Sequence, residues 1–138
     1  MKPEYPLYIN GEFKDSPQKS DIVNPSTDEV FARVSTADKN DAASAISAAR
    51  AAFDTGKWRG ISLPERKGFL LKIARGILDK ARELAELETL NCGKPIKEST
   101  FMDIPSAAKT FEYFANNLEK YLKDETIELE NAESLLLR

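Results

Sequence analysis

An α+β fold is predicted for this chain of 138 residues, with β-hairpins near the N-terminus, three long helices and a C-terminal strand pair. Asn10-Gly11 and the later sequence Asn24-Pro25-Ser26-Thr27-Asp28 each separate two short apolar runs, as hairpin turns do. Apolar residues then recur at three- and four-residue spacing from about residue 38 to residue 123, which is the helical period. Alternation of apolar and polar residues returns after residue 125, as is typical of strands.

The first hairpin is predicted to turn at Asn10-Gly11, between strands at residues 7–9 and 12–14. Asn-Gly readily adopts the positive φ angles of a two-residue turn. A polar loop is expected over residues 15–20. A second hairpin then joins residues 21–23 to residues 30–34, whose alternation places three side chains on one face: Val30, Ala32 and Val34.

The first long helix is predicted between Asp38 and Gly56. Asp38 is a favourable N-cap residue, Asp41 places negative charge in the first turn, and glycine ends the helix. Its apolar face is rich in alanine, so we expect close packing against a sheet or another helix. The face consists of Ala42, Ala45, Ile46, Ala49 and Phe53.

The second long helix is predicted to begin with the capping box Ser62-Leu63-Pro64-Glu65 and to end at Gly93 and Pro95. A break is expected near Asp79. Its expected apolar stripe consists of Phe69, Ile73, Ile77, Ala81, Leu84 and Leu87, widened by Leu70, Ala74 and Ala85.

The third helical stretch is predicted from about residue 96 to residue 123, with a kink or a fresh start near Ile104 because Pro105 lacks an N–H donor. Core packing is the expected role of the aromatic residues Phe111, Tyr113 and Phe114. Two strands, at residues 126–130 and 134–138, are predicted to follow.

Composition excludes several functional classes. With 20 Lys and Arg against 23 Asp and Glu, the net charge is −3 and no basic stripe favours nucleic acid. No apolar run reaches the roughly 18 residues of a membrane span, and residues 1–6 show no apolar signal core. The absence of histidine excludes Ser-His-Asp and Cys-His pairs within the chain. Lone Cys92 cannot form an internal disulfide, so a cytoplasmic location is the default expectation.

A series of segments is spread in order along nearly the whole chain: residues 7–13, 23–30, 48–53, Trp58, Glu65-Arg66, 87–95, 103–105 and 111–115. The order and spacing of these segments resemble the N-terminal part of the NAD(P)-dependent aldehyde dehydrogenases. The chain departs from the usual family pattern at Asp28, where glycine is usual, and at Cys92, where threonine or asparagine is usual.

The resemblance implies the N-terminal part of an α/β Rossmann-like fold. Residues 1–125 would belong to the cofactor-binding domain and residues 126–138 to the start of an oligomerisation strand pair, with the catalytic domain absent. It further implies a homo-oligomeric parent enzyme that oxidises an aldehyde substrate to a carboxylate with NAD or NADP, through thiolate attack, hydride transfer and thioester hydrolysis.

No catalytic or cofactor-binding residue is predicted within the chain. The family's nucleophilic cysteine, general-base glutamate, glycine-rich cofactor turn and oxyanion-holding asparagine are expected to follow Arg138. We therefore expect the 138-residue chain alone to bind no cofactor and to be inactive. Cys92 stands at a predicted helix end, where packing or helix termination explains it better than nucleophilic catalysis.

One metal site is implied by the resemblance. Many relatives hold a monovalent cation with backbone carbonyls before the Asn-Pro turn and a carboxylate early in the third helix, which match Ile22, Val23 and Asp103. Oxygen ligands of this kind suit hard cations. The alternative is that Asp103 caps the helix that restarts at Ile104 and Pro105.

A different class of function also remains open. The chain could be a noncatalytic helical module that associates with itself or with a partner through apolar faces. The mass of the native polypeptide distinguishes this hypothesis from the hypothesis that the chain is part of a longer aldehyde dehydrogenase.

Overall fold

The computed structural model describes residues 3–136 and confirms an α+β fold. Leu137 and Arg138, the end of the last predicted strand, lie outside the described residues. The strands are β1 (Glu4–Tyr5), β2 (Leu7–Ile9), β3 (Glu12–Lys14), β4 (Lys19–Asn24), β5 (Glu29–Ser35), β6 (Glu125–Leu129) and β7 (Ala132–Leu136). The helices are α1 (Lys39–Thr55), α2 (Leu63–Asp79), α3 (Ala81–Cys92), α4 (Ile96–Glu98), α5 (Ile104–Asn116) and α6 (Leu118–Tyr121), with a 3₁₀ turn (Lys57–Gly60) and a π-helical turn (Ser99–Asp103).

Both N-terminal hairpins form as predicted. Asn10 and Gly11 adopt φ angles of 54° and 85° between β2 and β3, as a two-residue turn requires. Asp28, at φ 57°, takes the left-handed conformation before β5. Ala32 is buried, and Val30 and Val34 on the same face are partly buried.

The second hairpin belongs to a three-stranded sheet of order β1-β5-β4. Strand β5 pairs antiparallel with β4 and parallel with β1. The two residues of β1 were not predicted, because a strand this short carries no periodicity. The predicted polar loop ends earlier than expected, since β4 already begins at Lys19.

Helix α1 begins with the predicted cap. The Asp38 side chain accepts hydrogen bonds from the N–H groups of Asn40 and Asp41, and the Asp41 carboxylate accepts the Asp38 N–H in return. Lys14 on β3 forms an ion pair with the buried Asp41 carboxylate, which joins the first hairpin to α1. The hydrogen bond from Lys14, followed by the one from the Asp38 N–H, lowers the pKa of Asp41.

The apolar face of α1 does not pack as expected. Ile46 is 71% exposed and Phe53 is 58% exposed, so this face is open among the described residues. Helical periodicity identified the face but could not supply a partner for it. Gly56 ends the helix in an extended conformation, and a Cβ there would lie 1.9 Å from the Ala52 carbonyl oxygen.

Helices α2 and α3 form the predicted long helical region. Ser62 and Glu65 make the capping box, the break falls at Asp79 and Lys80, and Gly93 takes the left-handed conformation at φ 69°. The centre of the apolar stripe was predicted wrongly. Phe69 and Ile73 remain 49% and 45% exposed, whereas the residues that were expected only to widen the stripe include the buried Ala74 and Ala85.

The third helical stretch restarts at Ile104, as Pro105 predicted. The π-helical turn precedes it, and Pro105 lies in the first turn of α5, where a missing N–H is tolerated. The expected core packing of the aromatic residues was wrong for Tyr113 and Phe114, which are 51% and 52% exposed. Both contact Tyr121 instead, and the Tyr113 and Tyr121 hydroxyls share a hydrogen bond.

The C-terminal strand pair is an antiparallel hairpin of β6 and β7. It begins at Glu125 and turns at Glu130-Asn131, slightly earlier than predicted, and all of its described strand residues are exposed. An isolated two-stranded hairpin is marginally stable in water. Its apolar side chains, Ile127 and Leu129 among them, therefore favour a further covering surface.

Alanine fills the interior of the helical layer. Among the described residues, the buried apolar side chains are Ala32, Ala74, Ala85, Ala108 and Ala115. Ala74 and Ala108 lie on α2 and α5, which contact each other extensively. Small side chains allow two helices to approach closely, so this contact has little spare volume.

We expect Ala108→Leu to destabilise the chain by about 1–3 kcal/mol, because the added atoms have no space between α2 and α5. Urea unfolding followed by circular dichroism measures the change. Ala43→Leu, on the exposed surface of α1, is the matched control and should change stability by less than about 0.5 kcal/mol. Equal effects of the two substitutions would contradict the packing account.

Candidate functional site

The candidate site lies where the end of α3, strand β4 and the start of α5 approach one another. Gly93 contacts the turn after β4, since its carbonyl oxygen accepts a hydrogen bond from Ser26 Oγ at 3.3 Å. A Cβ at Gly93 would lie 2.7 Å from Pro25 Cγ. Glycine therefore serves both the left-handed helix end and the close approach of the turn.

Lys94 organises the charged part of this region. Its Nζ lies 2.8 Å from Asp103 Oδ2 and 3.0 Å from Glu88 Oε1, so one ammonium group bridges α3 and the π-helical turn. The hydrogen bond to Asp103, followed by the one to Glu88, raises the pKa of Lys94. Lys94 was not predicted from the sequence, because Asp103 lies nine residues further along the chain and reaches the ammonium group only through the π-helical turn.

Asp103 does not act as the N-cap of α5. It has helical backbone angles, and its side chain makes no capping hydrogen bond. The capping alternative was therefore wrong, because the helical path continues through the π-helical turn and leaves no extended cap residue. The Asp103 carboxylate accepts the Lys94 ammonium instead.

Ile22 and Val23 lie in β4 at an irregularity of the sheet. The pairing register between β4 and β5 shifts between these two residues, and such a shift disrupts the hydrogen-bond ladder locally. Ile22 lines an apolar cavity of about 360 Å³ together with Phe31, Leu84 and Ile104. Ile104 directly follows Asp103, but neither Asp103 nor Val23 is among the residues that line this cavity.

Cys92 is the exposed last residue of α3. Its Sγ lies 3.6 Å from Glu88 Oε1, and Glu88 is also paired with Lys94. The neighbouring acidic residues are ion-paired, since Glu83 pairs with Lys80 and Glu86 pairs with Arg82. These contacts describe an ion-paired helix surface.

Two other kinds of site are not present among the described residues. Within residues 3–136, no three histidine, cysteine or acidic side chains group together as a metal site would require. In the same part of the chain, no helix combines the length and apolarity of a membrane span. A cation site made largely of backbone carbonyls does not require such a group of side chains.

Comparison with known proteins identifies the family. The model of the "Aldehyde dehydrogenase family" matches residues 13–138. A betaine aldehyde dehydrogenase of Bacillus subtilis (strain 168) is 42% identical over 116 residues, which cover 83% of this chain and 24% of that relative.

Solved structures agree with this match. An NAD-dependent aldehyde dehydrogenase from Sinorhizobium meliloti superposes with a TM-score of 0.83 at 32% identity, covering 92% of this chain and 26% of that one. A point mutant of betaine aldehyde dehydrogenase from Staphylococcus aureus in complex with NAD⁺ gives a TM-score of 0.81 at 37% identity, covering 91% and 25%.

The chain spans about a quarter of the length of these relatives. The residues matched by the family model include the second hairpin, the helical layer and the C-terminal strand pair. This chain therefore belongs to the aldehyde dehydrogenase family, of which it represents an N-terminal fragment.

Proposed function

We propose that this chain is the N-terminal framework of an enzyme that oxidises aldehydes to carboxylates with NAD⁺ or NADP⁺. Residues 1–125 form the first part of its cofactor-binding domain, and residues 126–138 begin its oligomerisation strand pair. The observation that carries the proposal is the superposition of nearly the whole chain on a quarter of an NAD-dependent aldehyde dehydrogenase. A free thiol at Cys92 is compatible with a cytoplasmic location.

The described residues do not fit a dinucleotide by themselves. Phosphate groups bind where a glycine-rich turn leads from a strand into a helix N-terminus. The connection from β5 to α1 consists of Thr36, Ala37 and Asp38, which include no glycine and place a carboxylate at the helix N-cap. The family's coenzyme site is therefore assigned to sequence outside this segment.

The exposed thiol of Cys92 also lacks the setting of the family's nucleophile. Its described contact is the Glu88 carboxylate, and that carboxylate already accepts the Lys94 ammonium. A thiohemiacetal needs hydrogen-bond donors aimed at its oxyanion and a nicotinamide placed to accept hydride. These parts belong, in this proposal, to the remaining three quarters of the enzyme.

We expect the purified 138-residue chain to give no turnover with an aldehyde and NAD⁺. Absorbance of reduced nicotinamide measures the reaction, and circular dichroism verifies that the chain is helical in the same sample. Aldehyde-dependent reduction of NAD⁺ that Cys92→Ser abolishes would contradict the assignment of catalysis to other parts of the enzyme.

We also propose that this framework contributes to the monovalent cation site that the resemblance predicts. The carbonyls of Ile22 and Val23 and the carboxylate of Asp103 supply three oxygen ligands, and a complete site needs others. Lys94 already occupies one oxygen of Asp103, so a monovalent cation shares this carboxylate with an ammonium group. Binding to the isolated segment is therefore weak.

We expect potassium chloride to raise the urea midpoint of the chain above its value in choline chloride of equal concentration. Asp103→Asn should remove this difference, because the amide lacks the charge that attracts the cation. Asp79→Asn is the matched control on the exposed end of α2 and should retain it. An equal potassium effect in all three proteins would rule out the site.

A second function, self-association without catalysis, is favoured by one observation. Large apolar side chains are exposed on several elements, including Ile46, Phe53 and Phe101, the last at 75%. Apolar patches of this kind usually mark an interface. A native polypeptide much heavier than 15.4 kDa supports the framework proposal, whereas a self-associating 15.4 kDa polypeptide supports the second function.

A further inference from the structure

A cleft with aromatic walls and two guanidinium groups lies between the end of α1, the 3₁₀ turn and the start of α2. Its volume is about 280 Å³, and its lining consists of Ala52, Phe53, Trp58, Arg59 and Arg66. The cleft is separate from the region around Asp103 and Lys94, because none of those residues lines it. A volume near 280 Å³ is close to the lower end of the range for small-molecule sites.

The two arginines face the aromatic walls. The Arg66 guanidinium carbon lies 5.2 Å from the centre of the Trp58 ring, and that of Arg59 lies 5.6 Å from the centre of the Phe53 ring. Trp58 also makes an edge contact with Phe69. Cations over aromatic faces are held in place while their N–H groups stay free for an anion.

Arg66 has unused hydrogen-bonding capacity. One terminal nitrogen donates to the Trp58 carbonyl oxygen at 3.3 Å, while its buried Nε has no hydrogen-bond partner among the described residues. A guanidinium carries five N–H donors, and a buried donor without an acceptor is costly. A small adjustment of this side chain on binding an anion would satisfy the donor.

The carboxylates beside these arginines in sequence are already engaged. Asp54 forms an ion pair with Arg50, and Glu65 accepts hydrogen bonds from Ser62 in the capping box of α2. Within residues 3–136, neither Arg59 nor Arg66 takes part in an ion pair. Among the described residues, these two guanidinium groups therefore have no carboxylate partner, whereas Arg50, which also lies over the Phe53 ring at 4.6 Å, is paired with Asp54.

We propose that this cleft binds a small aromatic carboxylate, with the carboxylate on Arg59 and Arg66 and the ring against Phe53 and Trp58. A guanidinium matches the two oxygens of a carboxylate through parallel hydrogen bonds. The aromatic walls bury the apolar body, and the volume limits it to about one ring. An aspartate or glutamate from another polypeptide would present the same chemistry, and a phenylacetate titration at several protein concentrations distinguishes these two sources.

Trp58 provides a direct readout, because it is the single tryptophan of the chain. Phenylacetate is the probe, and neutral phenylacetamide is its matched control. We expect a saturable change of tryptophan fluorescence with phenylacetate and none with phenylacetamide over the same concentrations. Equal responses to both probes would overturn the proposed role of the charge.

Three variants of the full 138-residue chain assign the contacts. Arg66→Gln and Arg59→Gln should each weaken phenylacetate binding about tenfold, the loss expected for a charge-assisted hydrogen bond. Arg75→Gln removes the same charge from an exposed position of α2 that pairs with Asp79, and should leave affinity within about twofold. Arg59 makes no described backbone contact, so its replacement keeps the test valid if Arg66→Gln perturbs folding.

Two results would overturn the proposal. The first is an equal loss of phenylacetate affinity in the Arg75→Gln and Arg59→Gln variants. The second is tryptophan fluorescence that changes with protein concentration in the absence of phenylacetate and does not respond when phenylacetate is added. The second result would assign the cleft to a carboxylate of another polypeptide chain.

Discussion

Gly93→Ala is expected to destabilise the chain by at least about 1–2 kcal/mol, the cost of the left-handed conformation for an L-residue. The φ angle of Gly93 is 69°, so the strain is unavoidable if α3 ends where it does. The new Cβ would also lie 2.7 Å from Pro25 Cγ and 3.2 Å from Ser26 Oγ. The end of α3 and the turn at residues 24–28 would have to move apart, and the hydrogen bond from Ser26 to the Gly93 carbonyl would weaken.

Gly76→Ala is the matched control and should have the opposite sign. Gly76 lies within α2, and a Cβ there meets no atom within 4 Å. Alanine is favoured over glycine in a helix by roughly 0.5–1 kcal/mol, so this variant should be more stable than the parent chain. Urea midpoints measure both variants. A Gly93→Ala chain as stable as the parent would contradict the described packing of the Asn24–Asp28 turn against α3.

Local chemistry made the turns and helix ends predictable from sequence. Asn10-Gly11, Asp28 and Gly93 each adopt the backbone conformation that their side chains favour or permit. Asp38 and Ser62 cap helices for the same local reason, since their side-chain oxygens reach N–H groups three residues away. Interactions of this kind depend on a few neighbouring residues.

Burial was less predictable because it depends on distant partners. The predicted stripe of α2 contains Phe69 and Ile73, which remain about half exposed. The residue that is buried is Ala74, which directly follows Ile73 in sequence. Tyr113 and Phe114 were expected in a core and remain half exposed for the same reason. A helical period specifies which residues share a face, whereas the residues opposite that face decide how much of it is covered.

The same difference between local and distant interactions applies to the candidate site. The resemblance indicated Ile22, Val23 and Asp103. In the structure, Ile22 lines one cavity together with Ile104, the residue that follows Asp103. The role of Lys94 required the three-dimensional path of the π-helical turn, which carries Asp103 to its ammonium. Likewise, Arg59 and Arg66 meet two aromatic rings because the 3₁₀ turn lies against both α1 and α2.

Replacement of the matching N-terminal quarter of the Staphylococcus aureus betaine aldehyde dehydrogenase by this chain tests the framework proposal most directly. The comparison protein is the unaltered relative, and the same chimera with Gly93→Ala reports on the contribution of the framework. NAD⁺ reduction with betaine aldehyde is measured after the mass and NAD⁺ binding of each protein are verified. We predict turnover within about tenfold of the unaltered relative, a loss of at most about 1.4 kcal/mol of transition-state stabilisation. A chimera that assembles and binds NAD⁺ but does not turn over would contradict the claim that this segment is an interchangeable framework of the family.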